Sequence, residues 1–187
     1  MVAPLSSPRS RLNLSIIGKT VLRTASRRKT IMNDISDRHA RRAAFASQVQ
    51  AETDIDDAMI ERLVRGFYAR IRSDEILGPI FEERIQDWEP HLRRMCEFWS
   101  SVVLMSGKYH GSPMAKHLPL PVDAEHFDRW LALFETAAHE LCPPAAANHF
   151  IKLAQRIATS IELGIASSRG LLLGNGERLP AVKSAAG

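Results

Sequence analysis

Apolar residues recur at spacings of three and four in four separate stretches of this chain. Ile55, Met59, Ile60, Leu63, Val64, Phe67, Tyr68 and Ile71 predict an amphipathic helix that opens on a loose capping box at Thr53 and Asp56 and weakens near Ser73. Gly78-Pro79 breaks the period, and Ile80 and Phe81 form an apolar corner. Trp88, His91, Leu92, Met95, Cys96, Phe98, Trp99, Val102 and Val103 line a second helix, with Asp87 as N-cap, Pro90 in the first turn and Gly107 as stop. Phe127, Trp130, Leu131, Phe134, Ala138 and Leu141 mark a third, capped by Asp123 and ended by Pro143-Pro144. A fourth starts near Ala145 and carries Phe150, Ile151, Ala154, Ile157, Ala158, Ile161 and Ile165. No stretch alternates with period two, so the pattern predicts one all-α domain over about residues 52 to 166.

The flanks lack this order. Residues 1–51 read as a basic, disordered leader, and residues 167–187, rich in Gly, Ser and Ala, as a flexible tail. The leader resembles a transit peptide or a basic arm; a start assigned too far upstream, with Met32 the natural beginning, is the favoured explanation. The Arg27-Arg28 pair is not followed by the apolar region of an export signal.

Charge changes the picture less than the formal +4 suggests. Residues 1–30 hold seven basic side chains and no acid; removing those seven from the 25 leaves 18 against 21 acidic residues, a net charge of −3. The body is therefore not a nucleic-acid binder. No run of about eighteen apolar residues predicts a membrane span. Cys96 and Cys142 form no C-x-x-C pair, which suits a reducing, cytoplasmic setting.

Candidate chemistry centres on HGSPMAKHLPLP, His110 to Pro121. Pro113 precedes His117, and Pro119 and Pro121 follow it, so His117 sits on a short turn with little freedom. Met114, Leu118 and Leu120 give the turn an apolar flank, and a neutral imidazole in such a wall suits a soft or borderline metal. Taken alone, a histidine in a polar loop is usually a solvated surface residue. One protein ligand suffices only where the metal brings its own equatorial donors, as haem iron does. Tyr68, His91, Trp99 and Trp130 add O–H and N–H groups to the apolar stripes. Each alone reads as a core or rim residue, but together they need hydrogen-bond acceptors that an apolar core lacks. His91, Met95 and Trp99 share roughly one helix face. His91 and His117 are far enough apart in sequence to face opposite sides of a flat cofactor.

The strings FYARIRSDEILGPIF (Phe67 to Phe81), HLRRMCEFWSSVVLMSGKYHGSPMAKHLPLP (His91 to Pro121) and FDRWLALF (Phe127 to Phe134) resemble the group III truncated haemoglobins. The likeness runs from about Ile55 to Ile165. It implies a truncated globin-like two-over-two helical sandwich holding haem b, with a loop largely replacing the helix before the proximal histidine. It implies His117 as the iron ligand, Tyr68 and Trp130 as distal hydrogen-bond donors and His91 as the distal histidine. Met95 corresponds to the apolar residue one turn on, Phe81 to the phenylalanine packed on the haem, and Phe67, Phe98 and Trp99 to positions near the haem or supporting its pocket. Met114 and Leu118, beside His117, are expected to share its wall of cofactor contacts.

The implied function is binding of oxygen and other diatomic gases at a pentacoordinate iron, with nitric-oxide or peroxide redox chemistry as an enzymatic extension. No stretch encodes a flavin or nicotinamide domain, so a separate reductase would supply electrons. The competing reading is a haem-free helical regulatory module that binds a protein partner through an apolar groove. A chain beginning at Met32 is expected to fold and take up haem like the full chain, its melting temperature staying within a few degrees. Melting curves and haem titration of the shortened chain check this.

Overall fold

A computed structural model describes residues 14–181; what the sequence predicts for residues 1–13 and 182–187 lies outside the described residues. All regular structure among the described residues is helical, in seven helices: α1 (Leu14–Thr53), α2 (Asp57–Arg72), α3 (Gly78–Glu82), α4 (Trp88–Val103), α5 (Pro113–His117), α6 (Ala124–Leu141) and α7 (Pro144–Ser168). The chain divides into two compact units, Met1–Ala43 and Ala44–Gly187. In the second, α2 packs on α4 and α6, α6 on α7, α3 on α2, and α5 on α7. The α2/α4 pair thus lies over the α6/α7 pair, the two-over-two sandwich that the sequence predicts. Among the described residues no helix is long and apolar enough to cross a membrane.

Helices α2, α4 and α6 start where short acidic side chains satisfy the first unpaired amides. Asp56 accepts from the Met59 N–H at 2.7 Å, Asp87 from Glu89 at 3.1 Å and Asp123 from Glu125 at 3.2 Å. The box expected between Thr53 and Asp56 does not form. Thr53 instead closes α1, its hydroxyl donating to the Val49 carbonyl at 2.6 Å, and Asp54 turns the chain with φ 55°. At α6 the reciprocal half of the cap falls to His126, which is not the usual Glu or Gln.

Both flanks depart from expectation. The segment expected to be a disordered leader is helical from Leu14 onward. Ala40, Ala43, Ala44, Ala46 and Ala51 are strong helix formers, and Gln48 donates to Glu52 one turn on at 2.9 Å. Val49, 4% exposed, joins the core, so the domain begins before residue 52. The expected flexible tail is docked as far as Leu179: Arg169 and Arg178 bond to the body, and Leu179 is fully buried. Gly and Ser content signals freedom, but it says nothing of two arginines that find distant partners.

One core runs between the layers. Phe134 stacks on Trp130 (centroids 5.2 Å apart, planes at 11°) and on Trp99 (4.9 Å, 20°), and Phe67 meets Tyr68, Trp130 and Phe134 edge-on at 5.0 to 5.1 Å. Asp74 pins α3 to this core. Its buried carboxylate accepts from the Ile76 and Leu77 amides at 3.1 and 2.9 Å and from Arg129 Nε at 2.7 Å. Burial alone would raise its pKa, but those bonds outweigh it and hold the carboxyl below its ordinary value. The corner bearing Phe81 is thereby tied to the turn of α6 that carries Trp130.

Candidate functional site

Between the two layers lies a cavity of about 540 Å³. That is within the roughly 300 to 1,000 Å³ of clefts that bury a small molecule. α2 contributes Tyr68; the α3 corner Leu77, Ile80 and Phe81; α4 His91, Met95, Phe98 and Trp99; α6 Phe127 and Trp130; and α7 Ile157, Ala158 and Ile161. α5 and the loop after it contribute Pro113, His117, Pro119, Leu120 and Val122.

His117 is held in one orientation. α5 is a single turn with Pro113 in its first position, and His117 Nδ1 lies 2.7 Å from the Pro113 carbonyl. A carbonyl can only accept, so Nδ1 carries the proton and donates it. In the neutral imidazole that leaves the lone pair on Nε2, the tautomer and anchoring that a metal-binding histidine requires. Among the described residues no cluster of three or more His, Cys, Asp or Glu could hold a metal by itself. A lone histidine in an apolar wall fits a metal that arrives inside a macrocycle.

The other polar groups expected at the site line the same cavity. Tyr68 is 6% exposed, with its ring edge-on to His91 at 5.0 Å and to Phe81 at 5.9 Å. Burial, and secondarily Cys96, pushes the phenol well above its ordinary pKa, so it stays a protonated donor at neutral pH. His91 is driven the other way, chiefly by burial and then by Arg94, which favours the neutral ring. Its Nε2 is buried with no hydrogen-bond partner among the described residues. A buried polar atom of that kind costs free energy unless something binding in the cavity satisfies it.

Three expected contacts fall elsewhere. Phe67 lies behind Tyr68 and Trp130 and supports them without reaching the cavity. Met114 and Leu118 do not line it either. Each follows Pro113 or His117 by one residue, hence about 100° further round the helix. Met114 packs on α7, where a Cβ at Gly164 would sit 2.3 Å from its sulfur, and Leu118 is 37% exposed. An apolar flank in sequence does not say which face of a single turn is inward.

The cations around the mouth, Arg84, Arg94 and Lys116, are not among the residues the sequence singles out. Arg84 holds Glu83 at 2.8 Å, but Arg94 and Lys116 form no salt bridge among the described residues. Each lies one or three positions from an expected cavity residue, a signal obscured by assigning the basicity to the leader. Apolar walls with a cationic rim suit a flat macrocycle bearing carboxylate arms, so the residues present fit haem. His117, Tyr68, His91 and Trp130, all in the lining, are the polar side chains such a group would meet.

Comparison with known proteins agrees. Residues 55–162 match the model of the bacterial-like globin family. The group 3 truncated haemoglobin ctb of Campylobacter jejuni is 34% identical over 113 residues, covering 58% of this chain and 89% of that protein. A crystal structure of group III truncated haemoglobin from the same organism superposes with a TM-score of 0.55 at 32% identity, over 63% of this chain and 92% of that one. Haemoglobin from Chloroflexus aurantiacus, 21% identical, shares the fold with a TM-score of 0.51 over 60% of this chain and 95% of its own. The family match takes in α2 to α6 and most of α7, the helices that build the cavity, and the chain belongs to the bacterial-like globins as a truncated haemoglobin of the group III type.

Proposed function

We propose that this globin would hold b-type haem through His117 Nε2 and that it binds oxygen and related diatomic gases reversibly. The observation that carries the reading is that one cavity is lined both by an anchored imidazole, His117, and by a buried and unsatisfied one, His91. Haem, when bound, would supply a redox-active iron able to bind diatomic gases. Tyr68 and Trp130 would be the hydrogen-bond donors toward such a ligand, and the aromatic wall around them would limit competition from water. His91, neutral and beside Arg94 near the rim, governs entry more than retention. Redox turnover of nitric oxide or peroxide is the enzymatic extension of the proposal, with electrons from a separate reductase. The free cysteines Cys96 and Cys142 suit the reducing cytoplasm in which such a reductase would operate.

Titrating haem into the purified apo-protein tests the reading: a one-to-one Soret transition is expected, and its absence would overturn it. The distal residues are separated by kinetics. A donor aimed at the ligand contributes about 1 to 3 kcal/mol, or roughly a tenfold to hundredfold change in rate. Tyr68→Phe and Trp130→Phe should therefore speed oxygen release by that range and affect carbon monoxide, a poorer acceptor, less. His91→Leu should chiefly change association rates of both gases. Stopped-flow and flash photolysis read all three; unchanged oxygen release in both Tyr68→Phe and Trp130→Phe would remove the donors from the proposal.

A further inference from the structure

Residues 169–180 lie beyond the segment that matches the globin family, yet they are bonded to the wall of the cavity. α7 ends at a left-handed turn on Gly170 (φ 74°), where the Gly170 N–H donates to the Ser167 carbonyl at 3.0 Å and the Leu171 N–H to the Ala166 carbonyl at 2.9 Å. That bond pair stops the helix and reverses the chain. The returning segment docks on Glu162, a carboxylate only 6% exposed, which accepts Arg178 Nε on both oxygens at 2.9 and 3.0 Å and the Leu179 N–H at 2.8 Å. The Leu179 carbonyl accepts from the Ala124 N–H at 3.1 Å, and its side chain is buried with Val122, Phe127 and Ile161, all three of which line the cavity.

At the root of this strap, Arg169 donates Nη1 to the Val122 carbonyl at 3.1 Å and Nη2 to the Leu120 carbonyl at 2.9 Å. Neither carbonyl has another hydrogen bond among the described residues. Pro119 and Pro121 have no N–H, so the loop cannot brace itself with a backbone ladder. Among the described residues its backbone bonds back to α5 are the Leu118 N–H donating to the Met114 carbonyl at 3.1 Å and the Leu120 N–H donating to the His117 carbonyl at 3.0 Å. The few residues between His117 and the Arg169 anchor points leave little slack. We propose that Arg169 is a positioning residue for His117: with the strap docked behind it, its guanidinium locks the loop that follows the histidine and slows haem loss. This rests on the reading of His117 as the iron ligand.

Arg169→Met in the full-length protein tests the lock. The rate of haem transfer from the ferric protein to excess apomyoglobin should rise about tenfold, the loss expected for hydrogen bonds from a charged donor. Amide exchange at Leu118, Leu120 and Val122 should quicken in both the apo- and haem-loaded protein, while exchange in α2 and α4 stays as it was. Arg169→Lys, able to reach one carbonyl, should recover part of both effects. Leu179→Ala, which loosens the strap and leaves the guanidinium in place, should change both in the same direction, and it decides the matter if Arg169→Met does not fold. Unchanged exchange in the loop overturns the lock, and faster exchange with unchanged haem transfer overturns its link to His117. Failure of the His117 assignment is separately visible, because His117→Ala would then keep its haem.

Discussion

His117→Ala is expected to lose more than about a hundredfold in haem affinity, roughly 2.7 kcal/mol or more. Disturbing the partner of a metal-bound histidine already costs about 10- to 100-fold, so removing the ligand must exceed that range. The loss cannot be made good locally. His126 also lines the cavity, but it serves the cap of α6 through Asp123, and His126→Ala should keep its haem like the parent. His110 is exposed and outside the lining. Haem content after purification and titration of the apo-protein measure the effect, with His110→Ala as the control that should match the parent. Equal haem affinity in His117→Ala would end the assignment.

Phe134→Ala is expected to destabilise the domain by about 3 to 5 kcal/mol, the range for truncating a fully buried aromatic. Phe134 is 1% exposed and stacked between Trp130 and Trp99, with Phe67 against its edge. No neighbour can fill the space without leaving its own contacts, so the cost should lie in the upper half of that range. A second consequence separates this residue from an ordinary core position. Trp130 and Trp99 both line the cavity, so oxygen release should quicken even at temperatures where the variant is fully folded. Urea unfolding of the apo-protein gives the first effect and stopped-flow kinetics the second; a loss below about 1 kcal/mol would show that the aromatic stack is not what joins the layers.

The long helices are legible in the sequence because their signals are local. Asp56, Asp87 and Asp123 cap helices within three residues of themselves, and the stripe from Ile55 to Ile71 needs only a period of 3.6 to be read. The site is legible in part for a different reason: Tyr68, His91, His117 and Trp130 stand in motifs that resemble a known family, and the fold brings them to one cavity. Local signals fail where the partner is remote. Arg178 and Glu162 are brought together only once the chain has turned at Gly170, so a segment of glycine and serine that reads as loose is in fact tied down. Arg84, Arg94 and Lys116 are scattered along the chain and converge only when α3, α4 and α5 are in place. Met114 and Leu118 read as pocket residues because apolar character is visible in a sequence and direction is not; one residue of helix is enough to turn a side chain to another layer. The charge of α1 masks its helix, although its alanines favour one.

The central claim is that His117 is the protein's bond to the iron, and resonance Raman spectroscopy of the ferrous, ligand-free protein tests it most directly. The haem-loaded parent should show an iron–histidine stretching band, His117→Gly should lack it, and free imidazole added to His117→Gly should restore a band at a shifted frequency. An iron–histidine band that persists unshifted in His117→Gly would show that another residue holds the iron.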